Sequence, residues 1–387
     1  METLQIKATN NLKPFFLNTK NQNNSQKITL NIAIFGHGVV GSALINQILK
    51  VAATIEERKN FKLVIFAIAN SKKLLLNANG IQENWKSEIA DLGQKYSITD
   101  VFSFAKAHKL SNLIAIDNTA SDSFIDNYIP FIQNDFDLIS SNKIANTKSY
   151  TFYKNFHEIV AKHKKEYRYE TNVGAGLPII DTIKLLHLSG ENITKIRGVF
   201  SGTLSYLFNI FSAEDKPFSE ILKEAIANGF TEPDPRDDLN GKDVGRKLLI
   251  LARELDLQNE FDEISIQNLI PEQLMNIETA AFLERITELD AIYENLKMNQ
   301  KKNHALRYIG ELSGDLQQEK GDLIVKLISV PKKSVLGNLQ GADALFEIYT
   351  ESYQDRPIVI QGAGAGASVT ARGVFGDILR IADKKKA

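Results

Sequence analysis

The sequence predicts an α/β protein, with a doubly wound parallel sheet first and a mixed α/β domain after it. Three observations carry that expectation. Apolar runs alternate with helical stretches between residues 29 and 166. A glycine-spaced turn joins the first run to the first helix. After residue 300, strand-like runs crowd together. At 387 residues the chain has length for roughly two or three domains.

Residues 1–28 are rich in Asn, Gln and Lys and read as a mobile lead-in. From Thr29 the pattern changes. Leu30, Ile32 and Ile34 alternate with Ala33 and Phe35 between them, as in a strand covered on both faces. Leu44, Ile45, Ile48, Leu49, Ala52 and Ile55 then recur at helical spacing. Further strands are expected at Leu63–Ala69, Leu113–Ile116 and Asp137–Ser140, with helices over Asp122–Asn134 and Thr147–Lys164. Beyond Tyr167 come a glycine-rich loop, a strand over Ile193–Phe200, and helices over Leu204–Ser212, Phe218–Asn228 and Gly241–Leu255. Strands follow at Ala305–Leu312, Leu323–Val330, Phe346–Ser352 and Pro357–Gln361, then a helix over Gly366–Ala382. The stretch Asp256–Asn303 has no clear period. The domains expected are a dinucleotide-binding unit over 29–166, to which helix 366–383 returns, and a second unit over 167–362.

Composition narrows the function. A net charge of −1 argues against a whole-chain grip on nucleic acid. No run of 18 apolar residues suggests a membrane span. The absence of cysteine removes disulfides, thiolate metal sites and thiol nucleophiles, and makes a cytoplasmic setting the expectation.

Gly36-x-Gly38-x-x-Gly41 stands between a strand and an amphipathic helix, the context a Rossmann-type dinucleotide fingerprint demands. The first glycine allows the turn, the second lets backbone approach a pyrophosphate, and the third lets helix and strand pack closely. An NAD site ordinarily has an acid at the end of the second strand. Here that strand ends Ala69-Asn70-Ser71-Lys72-Lys73, with no acid and two cations, which would welcome a 2′-phosphate. Thr231-Glu-Pro-Asp-Pro-Arg-Asp-Asp-Leu-Asn-Gly-Lys-Asp243 holds five acids on a loop that Pro233 and Pro235 keep out of helix. Asp243 and Lys247 share a helix face at four-residue spacing, so Lys247 is a candidate proton donor to a carbonyl. Gly362-x-Gly364-x-Gly366 offers a second place for backbone to approach a ligand.

These motifs, with Ser141-Asn-Lys143, Glu170-x-x-Val-Gly-Ala-Gly-Leu-Pro178 and Phe200-Ser-Gly-Thr-Leu-Ser205, resemble homoserine dehydrogenase and run in family order. The resemblance implies nicotinamide-dependent reduction of L-aspartate 4-semialdehyde to L-homoserine, on the route to threonine and methionine. It also implies a second domain that is both catalytic and dimerising. By motif position, Lys247 matches the proton-donating lysine, Asp243 the acid beside it, and Lys143 the lysine near nicotinamide and substrate. Glu232, Asp237 and Asp238 match the substrate-holding acids. Val39, Val40, Gly41, Thr119, Ser141 and Gly366 fall at cofactor-contacting positions, beside Gly36, Gly38, Asn70 and Lys72 from the fingerprint reading. Glu170, Val173, Ala175 and Leu177 would be the ligands of a monovalent cation, Na+ or K+. NADP(H) is expected over NAD(H), with a homodimer or homotetramer as the assembly and no nucleic-acid or membrane partner.

Many relatives carry a fused aspartate kinase or a C-terminal regulatory domain. This sequence ends about twenty residues after Gly366, so neither is expected. An aldehyde-oxidising dehydrogenase of the same semialdehyde would need a cysteine nucleophile, and there is none. A non-catalytic dinucleotide-binding regulator on this scaffold would have no use for Lys247, Asp243 and Lys143, all of which are present.

Overall fold

The computed structural model describes residues 27–386. Most of the expected lead-in, residues 1–26, lies outside the described residues, and Ile28 already belongs to the first strand. The first sheet contains β1 (Ile28–Phe35), β2 (Phe61–Ala69), β3 (Leu74–Leu76), β4 (Leu113–Asp117), β5 (Phe136–Ser140) and β6 (Tyr167–Arg168). Their spatial order is β3-β2-β1-β4-β5-β6. All neighbours are parallel except β3, which turns back antiparallel on β2. The sheet therefore extends one short strand beyond residue 166.

The alternation in β1 sorts its side chains between two layers. Leu30, Ile32 and Ile34 pack with Leu44, Ile45 and Ile48 of the helix Val39–Lys59 and with Val374, Ile378 and Ile381 of the last helix, Ala367–Lys386. Ala33 and Phe35 face the other layer, with Phe66, Phe131 and Phe136. Each such Leu, Ile or Phe contributes about 1.5–3 kcal/mol relative to exposure. The helix Val39–Lys59 is long and apolar enough to cross a membrane by length and composition, but its buried stripe packs on this sheet.

The expected helix Asp122–Asn134 is instead a 3-10 turn, Phe124–Asn127, and a short helix, Tyr128–Gln133. Pro130 explains the break. Its ring tolerates only the first turn of a helix, so the helix starts at Tyr128. The expected helix Thr147–Lys164 covers Tyr150–Lys162, where Ser149 accepts from the Phe152 amide as N-cap. A separate turn, Ile144–Thr147, precedes it.

The second sheet contains β7 (Ile193–Val199), β8 (Ser265–Ile266), β9 (His304–Ser313), β10 (Asp322–Pro331), β11 (Asp343–Thr350) and β12 (Ile358–Ala363), in the order β12-β11-β7-β9-β10-β8. It is antiparallel except where β8 meets β10. The aperiodic stretch 256–303 forms short helices, among them Thr279–Glu284 and Asp290–Met298. The helices Gly202–Ala213 and Lys242–Arg253 cover one face of the sheet. On the other face Leu336 and Leu339 cover Val199, Ile309 and Leu345. Beside them an Arg197–Glu347 ion pair, 2.6 Å, stays partly open.

The chain leaves the first sheet after Arg168 and returns to it through the last helix. The two crossing segments touch through glycine. A Cβ on Gly176 would lie 2.6 Å from the Val369 carbonyl oxygen, and one on Gly373 2.5 Å from Thr171 Cγ2.

Candidate active site

A cleft of about 830 Å³ opens between the carboxyl end of β5 and the second domain. Lys143, Glu232, Asp237, Asp238, Asp243, Lys247 and Gly366 all line it. The helix Lys242–Arg253 starts at its wall because Gly241, at φ +72°, turns the chain into the helix. The four-residue spacing then brings Lys247 Nζ to 2.8 Å from Asp243 Oδ2. Lys143 reaches Asp243 Oδ1 at 3.5 Å from the first domain. One carboxylate thus bridges two ammonium groups from opposite sides of the cleft. Burial pushes Asp243 up, but Lys247 and Lys143 outweigh it and hold it well below the usual carboxylate range. Lys247 also donates to the Phe200 carbonyl at 2.8 Å. Two of its three donors are engaged, which leaves one for a substrate oxygen.

The acidic loop divides its carboxylates between two tasks. Asp234 turns away from the cleft. It takes a 2.5 Å ion pair from Arg236 and a 2.8 Å bond from Thr279 Oγ1, and the Arg236 side chain is a strong reason its pKa is pulled down to about 2. Arg236 also donates to the Ile277 carbonyl at 2.6 Å, which latches the loop to the segment after Leu274. Glu232, Asp237 and Asp238 remain on the cleft side. Asp238 accepts from the Glu232 amide at 2.8 Å, and burial raises its pKa.

At the fingerprint turn each glycine meets a different demand. A Cβ on Gly36 would lie 2.8 Å from Asn118 backbone, and one on Gly41 only 1.9 Å from the Gly36 carbonyl oxygen. A Cβ on Gly38 would meet nothing within 4 Å, so the turn is open on the side where a pyrophosphate would lie. Val39 stands 79% exposed at the head of the helix, followed by Val40. Asn70 Oδ1 accepts from the amides of Lys72 and Lys73, and its Nδ2 lies 2.9 Å from His37 Nε2. Lys73 is turned onto the Ala90 carbonyl. Of the two cations after β2, Lys72 alone is exposed.

Thr119 and Ser141 sit at the carboxyl ends of β4 and β5, held by a buried group the sequence did not single out. Asp117 accepts from the Thr119 amide at 2.8 Å, from Tyr128 Oη at 2.7 Å and from Asn142 Nδ2 at 3.2 Å. Burial raises its pKa. Ser141 Oγ is 3.0 Å from Asn118 Oδ1, two residues before Lys143. Thr203 and Arg246 also line the cleft. Thr203 lies in a motif already recognised but with no side chain assigned a role. Arg246 is one more charge in a charged stretch.

The loop after Glu170 lies apart from the cleft. The Glu170 carboxylate caps the helix Ile179–Leu188, accepting from Ile180 and Asp181 at 2.8 and 3.0 Å. Burial, with Asp181 and Asp377 nearby, raises it to about 8. Gly174 and Ala175 both have positive φ, +75° and +54°. Among the described residues, no hydrogen bond reaches the buried carbonyl oxygens of Val173 or Ala175. Leu177 carbonyl accepts from Ile179 at 2.9 Å. The Glu170 side chain is thus engaged as a helix cap, which leaves backbone carbonyls, those of Val173 and Ala175 among them, as the groups that fit a hard monovalent cation.

The homoserine dehydrogenase family model matches residues 178–379, and the model of that family's NAD binding domain matches residues 36–170. The chain is 40% identical, over 92% of its length, to the bifunctional aspartokinase/homoserine dehydrogenase of Buchnera aphidicola. It is 37% identical, over 92%, to the chloroplastic bifunctional aspartokinase/homoserine dehydrogenase 1 of Arabidopsis thaliana. It spans 43% and 39% of those proteins. A crystal structure of a Candida auris protein of unknown function shares the fold at a TM-score of 0.82 and 33% identity, over 92% of this chain and 99% of that one. A hyperthermophilic archaeal homoserine dehydrogenase in complex with NADPH shares the fold at 0.70 and 21% identity, over 92% and 98%. The family's two models meet this chain on either side of the cleft, and the protein belongs to the homoserine dehydrogenase family.

Proposed function

We propose that the protein reduces L-aspartate 4-semialdehyde to L-homoserine with a nicotinamide cofactor. The observation that carries this reading is the Lys143–Asp243–Lys247 bridge across the cleft. A nicotinamide cofactor, held at the Gly36–Gly41 turn, would supply the hydride for the aldehyde carbon. Lys247 gives the proton to the aldehyde oxygen as charge develops there, so hydride and proton together make the alcohol. Asp243 keeps the Lys247 ammonium in place. Lys143 lies on the same carboxylate from the cofactor side, where it steers the substrate. Glu232, Asp237 and Asp238 give the opposite wall the negative charge that suits an amino-acid ammonium.

NADPH is the preferred cofactor in this reading. No acid stands after β2 to repel a 2′-phosphate, and Lys72 is exposed there. Na+ or K+ is held at Glu170, Val173, Ala175 and Leu177, largely through backbone carbonyls. Two copies associate through the second sheet, and the cysteine-free sequence suits a cytoplasmic setting. The test is oxidation of NADPH and of NADH, each with aspartate 4-semialdehyde as sole acceptor. Turnover with NADPH the better cofactor supports the reading. No turnover with either removes the assigned activity, and faster turnover with NADH removes the role of Lys72.

A further inference from the structure

Lys143 reaches its partner across a domain boundary, and something must set that reach. The helix Lys242–Arg253 carries Asp243 at one end and Arg253 at the other, about 15 Å away along the axis. The Arg253 side chain is fully buried. Its Nη1 donates to the Asn146 carbonyl at 2.7 Å and its Nη2 to the Lys148 carbonyl at 2.7 Å. The same guanidinium lies 3.4 Å from Glu260 Oε2 and over the Tyr153 ring at 5.0 Å. Glu260 Oε1 in turn accepts from the Tyr150 amide at 2.8 Å. A cation thus holds two carbonyls, and its carboxylate partner holds an amide, all within one turn of chain.

That turn begins at Lys143. The Lys143 carbonyl accepts from the Asn146 amide and from Thr147 Oγ1, both at 3.2 Å. The backbone under Lys143 is therefore bonded to the segment that Arg253 grips. We propose that Arg253, supported by Glu260, is a positioning residue. It holds the 143–150 turn against one end of the Lys242–Arg253 helix, so that Lys143 meets Asp243 at the other end. Two contacts on one rigid helix fix the turn in both place and orientation, which a single contact cannot do. Neither Arg253 nor Glu260 lines the cleft. Their effect on the reaction passes through Lys143.

The kinetic part of the test rests on the reductase reading above, and the exchange part does not. Arg253→Met is made in the wild type and in Lys143→Ala. In the wild type, kcat should fall roughly 10- to 100-fold, as a misplaced group does, with NADPH affinity unchanged. Arg253→Lys, which can still bond one carbonyl, should recover part of the loss. In the Lys143→Ala background the same change should cost less than about twofold, because the residue it positions is gone. Hydrogen exchange of amides 144–150 should accelerate in Arg253→Met while that of the Gly36–Gly41 turn stays as in the wild type. Equal losses in both backgrounds, or unchanged exchange at 144–150, would overturn the proposal. Should Arg253→Met not fold, Glu260→Ala takes its place in the same cycle, with a smaller loss of about threefold expected. If the wild type does not reduce the semialdehyde, the reductase reading falls and exchange alone decides the positioning role.

Discussion

At the scale of single residues, Lys247 has its donors divided between Asp243, the Phe200 carbonyl and the open cleft. Lys247→Ala should keep NADPH affinity and lose about 10²–10⁴-fold in kcat, the usual worth of a general acid. Steady-state turnover with cofactor titration checks both parts, and near-normal turnover would remove Lys247 from the chemistry. A second residue reports on stability. His157 sits among Tyr153, Phe156, Tyr167 and Tyr169 with its buried Nε2 unpartnered, and burial, aided by Lys184 and Arg253, lowers it to about 4. Between about pH 6.5 and 4 the unfolded chain takes up a proton that the folded chain refuses. Stability should therefore fall as pH drops through that window, by on the order of 3 kcal/mol. Thermal melts of His157→Gln should show a flatter decline over the same range. Parallel curves would mean that another group titrates.

At the scale of elements, the fingerprint turn separates folding from binding. Gly41→Ala drives a methyl into the Gly36 carbonyl, with no side chain that can yield, and should lower Tm or prevent folding. Gly38→Ala adds a methyl that meets only solvent in the free protein. It should melt like the wild type and bind NADPH at least about tenfold more weakly. Melting curves beside cofactor titrations distinguish the two, and a destabilised Gly38→Ala would end this division of roles. Elements also differed in how plainly the sequence announced them. β1 was legible because both its faces are apolar and a glycine turn ends it. β3 and β6 were not, since two or three residues carry no period. The latch of Asp234 and Arg236 was hidden for another reason. All five acids of that loop look alike in sequence, and only the position of Thr279 and the Ile277 carbonyl tells which one turns inward. Arg253 escaped notice because it works by gripping backbone carbonyls, which leave no mark in a sequence, and Asp117 because its partners Tyr128 and Asn142 come from separate elements.

At the scale of the molecule, the second sheet exposes part of one face. Leu336 and Leu339 cover its middle, and the Arg197–Glu347 pair stays partly open, with Tyr349 Oη 3.0 Å from Arg197. Such a face suits a second copy, since a paired arginine beside an aromatic ring is a common interface anchor. Light scattering at micromolar concentration should return at least twice the 43.2 kDa chain mass. Arg197→Glu, which sets two acids side by side, should shift the assembly toward monomer. A wild-type monomer would remove this face from consideration.

The glycine contact between the crossing segments has a mechanical meaning. A body joined to another by one strand can swivel freely, and a body joined at two distant points can hardly move. Here the two tethers, near Gly176 and near Gly373, lie side by side. Alone they would act as the pin of a door. The grip of Arg253 on the Asn146 and Lys148 carbonyls is a further point of attachment, so the door is latched. Gly366, which packs near Val369 beside the pin, therefore keeps its place in the cleft wall.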